Sequence, residues 1–209
     1  MQISKEEIVA AALALIEEHG ADRLTMRELS HRLGVAPMSI YWYVRSKDAL
    51  FDLICDEVVA GVPQTPVGRK RWDRALLCIA RDTFVALNRH PGVAALAIER
   101  LPNENSPNAL RLLDLSAVCL RKAGYDDAGA ARAALTAYLF VVAHVQYGGR
   151  RPGLEMSRVT RPTAGVREHP WIGAMVAAPD EPFDLFEYGF QRLLDGFRAE
   201  LASVGRRAR

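Results

Sequence analysis

Between Arg27 and Lys47 the sequence gathers side chains suited to gripping a nucleic-acid duplex: Met38, Ser39, Trp42 and Tyr43 close together, Arg27 upstream, Tyr41 and Lys47 at the flanks. A guanidinium can hold a guanine edge or a phosphate, and an ammonium neutralises a phosphate. Hydroxyl, thioether and aromatic groups complement what remains of a groove. Thr25 and Ser46 stand where helices should begin, and helix-start amides suit phosphate oxygens. Residues 27–47 carry four basic side chains (Arg27, Arg32, Arg45, Lys47) against the single acid Glu28. Adding Lys5 and Arg23, and Glu6, Glu7, Glu17, Glu18 and Asp22, balances the first 47 residues at six against six, so any positive patch is local.

Other chemistries find little support. No nucleophile, base and orienting group follow one another, and there is no H-E-x-x-H and no glycine-rich phosphate loop. Cys55, Cys78 and Cys119 form no C-x-x-C and have no histidine at metal-ligand spacing, which reads as reduced core thiols. A helical enzyme assembled from distant helices and a helical adaptor that binds only protein stay as alternatives. Turnover would single out the first, and salt-dependent DNA retardation would exclude the second.

The elements that must position these groups are helices. Ser4-Lys5-Glu6-Glu7 has the capping-box form, Ile8, Ala12, Leu15 and Ile16 continue one stripe, and Gly20 stops it. Thr25-Met26-Arg27-Glu28 repeats the form, with Leu29 and Leu33 on one face until Gly34. Pro37 fits the first position of the next helix, in which Ile40 and Val44 face inward over about two turns. That leaves Met38, Ser39, Trp42 and Tyr43 on the other faces of a short rod. Packing between short helices competes for the aromatic run; position favours the DNA side for Tyr41 and Tyr43 and leaves Trp42 between the two roles. A fourth helix follows Ser46 towards Val59, and a boundary falls near residues 61–68. Further helices are predicted at 71–88, 93–100, 108–123, 128–146 and 183–204. Residues 148–182, with five prolines, should be largely irregular around one short helix at 171–176.

Size and composition agree with this. The chain has 209 residues, half of them hydrophobic, and a net charge of +2, which excludes disorder and a polyanion-coated protein. The acidic start MQISKEEI is unlike a signal peptide, and no uninterrupted apolar run suits a membrane span, so no membrane is expected and the expected location is cytoplasmic.

The segments Leu33-Gly34-Val35, Ile40-Tyr41-Trp42-Tyr43-Val44 and Ser46-Lys47-Asp48-Ala49-Leu50, ungapped within residues 8–54, resemble the N-terminal signature of the TetR family of transcriptional regulators. The resemblance implies an all-α protein: a three-helix helix-turn-helix domain at 1–60, then a larger helical effector-binding and dimerisation domain at 61–209. It implies a DNA-binding regulator, not an enzyme, acting on double-stranded operator DNA as a homodimer. Positions matching Thr25, Arg27, Pro37, Met38, Ser39, Tyr41, Tyr43 and Lys47 would meet the operator, and Trp42 joins them from its place on the rod.

The later chain resembles the tetracycline-repressor type of C-terminal domain through Trp72, His90 and the run Phe186, Gly189, Leu193, Leu194, Gly196, Phe197. In that type, helices here expected at 128–146 and 183–204 pair with their symmetry mates. The stripe Phe183, Phe186, Phe190, Leu193, Phe197, Leu201 and the glycines seven apart suit such an interface, so Phe186, Gly189, Phe190, Leu193, Gly196 and Phe197 are its expected residues. Where that type carries a drug-binding Asn and a metal-ligating His, an ungapped count reaches Ile79 and Ala97. Neither tetracycline nor any metal or other cofactor is therefore implied. The expected effector is a different small organic molecule in a mostly apolar cavity, with Asn88, Tyr138, His144 and Trp171 as candidate contacts, each weighed against an ordinary interior role. The expected action is repression relieved by that effector, activation being the alternative.

Overall fold

The computed structural model describes residues 3–63, 71–149 and 182–207. Trp171, the short helix expected at 171–176 and most of the proline-rich stretch lie outside them. Every element among the described residues is helical: α1 (Lys5–His19), α2 (Met26–Leu33), α3 (Pro37–Tyr41), α4 (Lys47–Ala60), α5 (Trp72–Asn88), α6 (Pro91–Glu99), α7 (Pro107–Ala123), α8 (Asp127–Gly149) and α9 (Pro182–Arg207), with one 3₁₀ turn at Ala21–Arg23.

The helix starts follow local hydrogen bonding. The Ser4 hydroxyl accepts from the Glu7 amide at 3.1 Å while the Ser4 amide donates to the Glu7 carboxylate at 2.8 Å, a reciprocal pair that satisfies two orphan donors. At α2 the expected pair is only half made. The Thr25 hydroxyl accepts from the Glu28 amide, but the Glu28 carboxylate lies 4.0 Å from His19 of α1. Gly34 ends α2 in the left-handed region at φ 65°, where a Cβ would be strained, and the next amide, Val35, returns to the Ser30 carbonyl at 3.0 Å. This reversal aims α3. Pro37 sits in the first turn of α3, which is shorter than two turns, although the Val44 amide still reaches the Ile40 carbonyl at 3.0 Å.

Two hydrophobic cores result. Ile8, Leu15, Leu29, Ile40, Leu50 and Ile54 fill the first; Leu76, Phe84, Leu120, Val142, Phe186 and Phe190 belong to the second. Helix α6 serves both, sending Val93 and Leu96 into the first core and Ala94 and Ala97 into the second. Its seat on α1 is close: a Cβ at Gly92 would fall 2.5 Å from the Ile16 side chain. A hydrogen bond of 2.8 Å between His90 Nδ1 and the Glu17 carboxylate ties its start to α1.

Helix α8 is apolar enough over Asp127–Gln146 to cross a membrane, with mean hydropathy 1.4, yet it packs against α5, α6, α7 and α9 as a core helix. Helix α9 lies along it, and here the aromatic stripe departs from expectation. Phe186, Phe190 and Phe197 are buried within the protomer, Phe186 stacking on Phe84 of α5 with ring centroids 4.4 Å apart. Gly189 is a close approach inside the chain, since a Cβ there would come within 2.6 Å of Phe140. Leu193 is half-buried against the same core, and only Gly196 of the expected interface residues is exposed. A stripe at steps of three and four identifies a face to be covered, without saying whether the cover comes from the same chain. Outward from α8 and α9 point Leu135, Leu139, Leu185 and Tyr188 instead.

Candidate functional site

The rod after Gly34 shows the division of faces that its spacing predicts. Ile40 and Val44 are buried, while Met38 is 68% and Trp42 85% exposed. An indole left so open contributes almost nothing to packing, so the structural alternative for Trp42 is removed. Tyr41 and Tyr43 are also exposed, as are Thr25, Arg27 and Pro37, and Ser39 is half-buried. Tyr43 has a second engagement that sequence spacing did not reveal: its hydroxyl donates to the carbonyl of Ile3, pinning the N-terminal segment beside the rod.

The basic residues divide. Arg32 bonds Glu18 of α1 at 2.6 Å, so it braces α2 against α1. Lys47, in the first turn of α4, holds its ammonium 5.1 Å from the centre of the Phe51 ring. At both expected phosphate-facing starts, a side-chain oxygen already takes one amide: Thr25 that of Glu28, Ser46 that of Ala49. The patch thus comprises Arg27, Arg45 and Lys47 around exposed aromatics and a thioether, with α1 retaining its acids. Such a rod, narrow and with basic and aromatic groups outward, matches the width of a major groove.

The second feature is a partly open cavity of about 60 Å³ between α4, α5, α7 and α8, bordered on one side by the end of α6 and Leu101-Pro102. Its wall is mainly Val, Leu, Ile and Ala, and includes both Ile79 and Ala97, the two apolar replacements counted from the sequence. Of the four candidate contacts, Tyr138 lines it. Asn88 is exposed at the end of α5, and His144 stacks on Phe140 at 4.0 Å and bonds its carbonyl, so neither borders the cavity.

Sequence reasoning missed the charged pair at one end of this cavity. Arg100, just after α6, bonds the Asp48 carboxylate at 2.6 Å and the Asp52 carboxylate at 3.2 Å, and its guanidinium lies over the Phe51 ring. Burial opposes the guanidinium's charge, but the bonds to Asp48 and Asp52 outweigh it and raise the Arg100 pKa. Asp52, 8% exposed, also accepts from the Asn103 amide at 3.1 Å. One turn on, Asp56 accepts from the backbone amides of Asn108 and Ala109 and so caps α7. An aspartate at four-residue spacing on an apolar helix (Asp48, Asp52, Asp56) was the available signal. Burial pushes the Cys55 thiol and the Tyr138 phenol each up to about 12, so both stay neutral.

The family comparisons agree with this geometry. The model of bacterial regulatory proteins of the tetR family matches residues 8–54, and that of the tetracyclin repressor-like C-terminal domain matches residues 63–201. The chain belongs to the TetR family. Among relatives, the transcriptional repressor DrrR1 of Streptomyces coeruleorubidus is 27% identical, with 96% of this chain and 79% of that protein aligned. The class A tetracycline repressor of transposon 1721 from Escherichia coli is 29% identical over 93% of this chain and 90% of its own. A crystal structure of a possible TetR family regulator from Streptomyces coelicolor A3(2) superposes with TM-score 0.82 at 28% identity, covering 94% of this chain and 99% of the other. This TetR-family protein is thus a DNA-binding transcriptional regulator and not an enzyme.

Proposed function

We propose that this regulator is a repressor that occupies a roughly palindromic operator as a homodimer in the cytoplasm and is released by a small organic effector. The observation that carries the reading is the short rod on which Met38 and Trp42 stand open to solvent beside Arg27 and Lys47 while Ile40 and Val44 are buried. Met38, Ser39, Trp42 and Tyr43 meet base edges and groove walls, Arg27 reads a base, and Thr25, Pro37, Tyr41 and Lys47 position the backbone. The division into a reading unit at 1–60 and an effector unit at 61–209 is supported by the two cores.

The dimer face runs along α8 and α9 through the outward Leu135, Leu139, Leu185 and Tyr188. Leu139→Asp combined with Tyr188→Asp is expected to yield a folded monomer in sedimentation; an unchanged mass would send the interface elsewhere.

The effector occupies the cavity of α4, α5, α7 and α8. A benzene-sized body needs about 150 Å³, more than the resting cavity's 60 Å³. Entry must therefore push a wall outward. Two walls lead to the DNA-reading rod: α4, which starts three residues after Val44, and the end of α6, whose Arg100 is bonded to Asp48. A hundredfold loss of operator occupancy requires the effector to prefer the displaced form by about 2.7 kcal/mol. Gel retardation of the gene's own upstream DNA, repeated with compounds selected by thermal shift, tests both halves. Retardation reversed by a stabilising compound supports the reading; no retardation at low salt contradicts it.

A further inference from the structure

The polar atoms of the cavity form an uneven set. The Thr83 hydroxyl donates to the Ile79 carbonyl at 2.7 Å, the Ser116 hydroxyl to the Leu112 carbonyl at 2.8 Å and the Tyr138 hydroxyl to the Ala97 carbonyl at 3.2 Å. Each has given its only hydrogen to the backbone, so towards the cavity each oxygen can only accept. Among the described lining residues Asp52 is the one anion, and a carboxylate accepts only, with room on its two oxygens beyond the donors from Arg100 and Asn103.

Charge points the same way. Arg100, the one cation among the described lining residues, faces two carboxylates, and its contact with Asp52 is the longer, 3.2 Å against 2.6 Å to Asp48. Asp56 stands one turn further along α4, buried. Cys55 and Tyr138, held neutral by burial, add no charge to this set. Among the described lining residues, an entering carboxylate would meet few donors beyond the Ser106 hydroxyl and an Arg100 already shared by two carboxylates, against an excess of negative charge, whereas an ammonium would meet the three accepting hydroxyls and could share Asp52 while Asp48 keeps the guanidinium.

We propose that the cavity selects a small apolar amine in its protonated form, with Asp52 as the counter-ion and the hydroxyl oxygens of Thr83, Ser116 and Tyr138 as secondary acceptors. This rests on the cavity being the effector site and adds the chemical class of the effector. It also places the charged end of the ligand beside Arg100, the side chain that links the cavity to the start of α4.

Calorimetric titration with 2-phenylethylamine, 2-phenylethanol and phenylacetate tests it, because the three share one aryl body and differ in charge. An alkylamine, like the lysine side chain with a pKa of about 10.4, is protonated at neutral pH. The amine should bind at least about tenfold more tightly than the alcohol, a difference of about 1.4 kcal/mol, and the acid should bind most weakly. Asp52→Asn should bring the amine to the level of the alcohol and leave the alcohol unchanged. Equal affinities, tighter binding of the acid, or no binding of any of the three at millimolar concentration would overturn the proposal. Should Asp52→Asn fail to fold, the ranking on the wild-type protein decides alone. The titration contains no DNA, so a regulator that binds the amine selectively yet keeps its upstream DNA retarded would refute effector release while leaving the cavity's preference intact.

Discussion

Two aromatic clusters in this chain have opposite fates. Tyr41, Trp42 and Tyr43 leave their rings exposed at the end of α3, whereas Phe186, Phe190 and Phe197 lie buried beneath α9. Both arise from apolar residues repeated along a helix, and hydrophobicity alone would bury both. What separates them is length. Helix α3 and the three residues that follow it offer one inward pair, Ile40 and Val44, and have no further face to cover, so the aromatics there stay outside. Helix α9 spans 26 residues and packs against α8, with room for a whole stripe inside its own protomer. An aromatic on a long amphipathic helix is thus first a core residue; one on a short helix with a single buried pair is available for contact.

The sharpest break between the clusters is Phe190→Asp. It removes a fully buried ring that packs edge-on to Phe140 and leaves a charge in its place, so a loss of at least about 4 kcal/mol is expected in denaturant unfolding. A folded monomer of near-normal stability would restore Phe190 to the intermolecular face. Arg27→Ala comes next: specific binding should weaken by about 1 to 3 kcal/mol with binding to random duplex little changed. Equal losses on both would move Arg27 from a base to the backbone. Lys47→Ala should weaken every duplex alike and lower the salt slope by about one, measured by titration at several salt concentrations. The smallest effect on stability belongs to Trp42→Ala, within about 0.5 kcal/mol, because 85% of the residue is already in solvent. Operator affinity should fall all the same, and a large stability loss would show that the indole packs in solution.

The helix order and the short rod with its exposed face were legible because their signals are local. Ser4, Thr25, Pro37, Ser46 and the glycines at 20 and 34 act on neighbours within a turn, and the structure keeps all six in those places. The cavity was legible only in character. That Ile79 and Ala97 make it apolar follows from a count along the chain, but Arg100 meeting Asp48 and Asp52 needs α6 to fold back over α4, across about fifty residues. Asn88 and His144 were plausible by type and failed on direction: one points to solvent and the other to Phe140. The dual role of α6, one face in each core, was equally hidden, since every residue from Val93 to Ile98 is apolar and no single stripe stands out.

The most direct test of the reading rod is a fluorescence-anisotropy titration of the wild-type protein with its own upstream DNA and with a scrambled duplex of equal length, repeated from low to physiological salt. Preference for the upstream DNA by at least about a thousandfold, with both affinities falling as salt rises, is the expected result. Identical affinities for the two duplexes at every salt concentration would contradict base reading by the exposed face of α3.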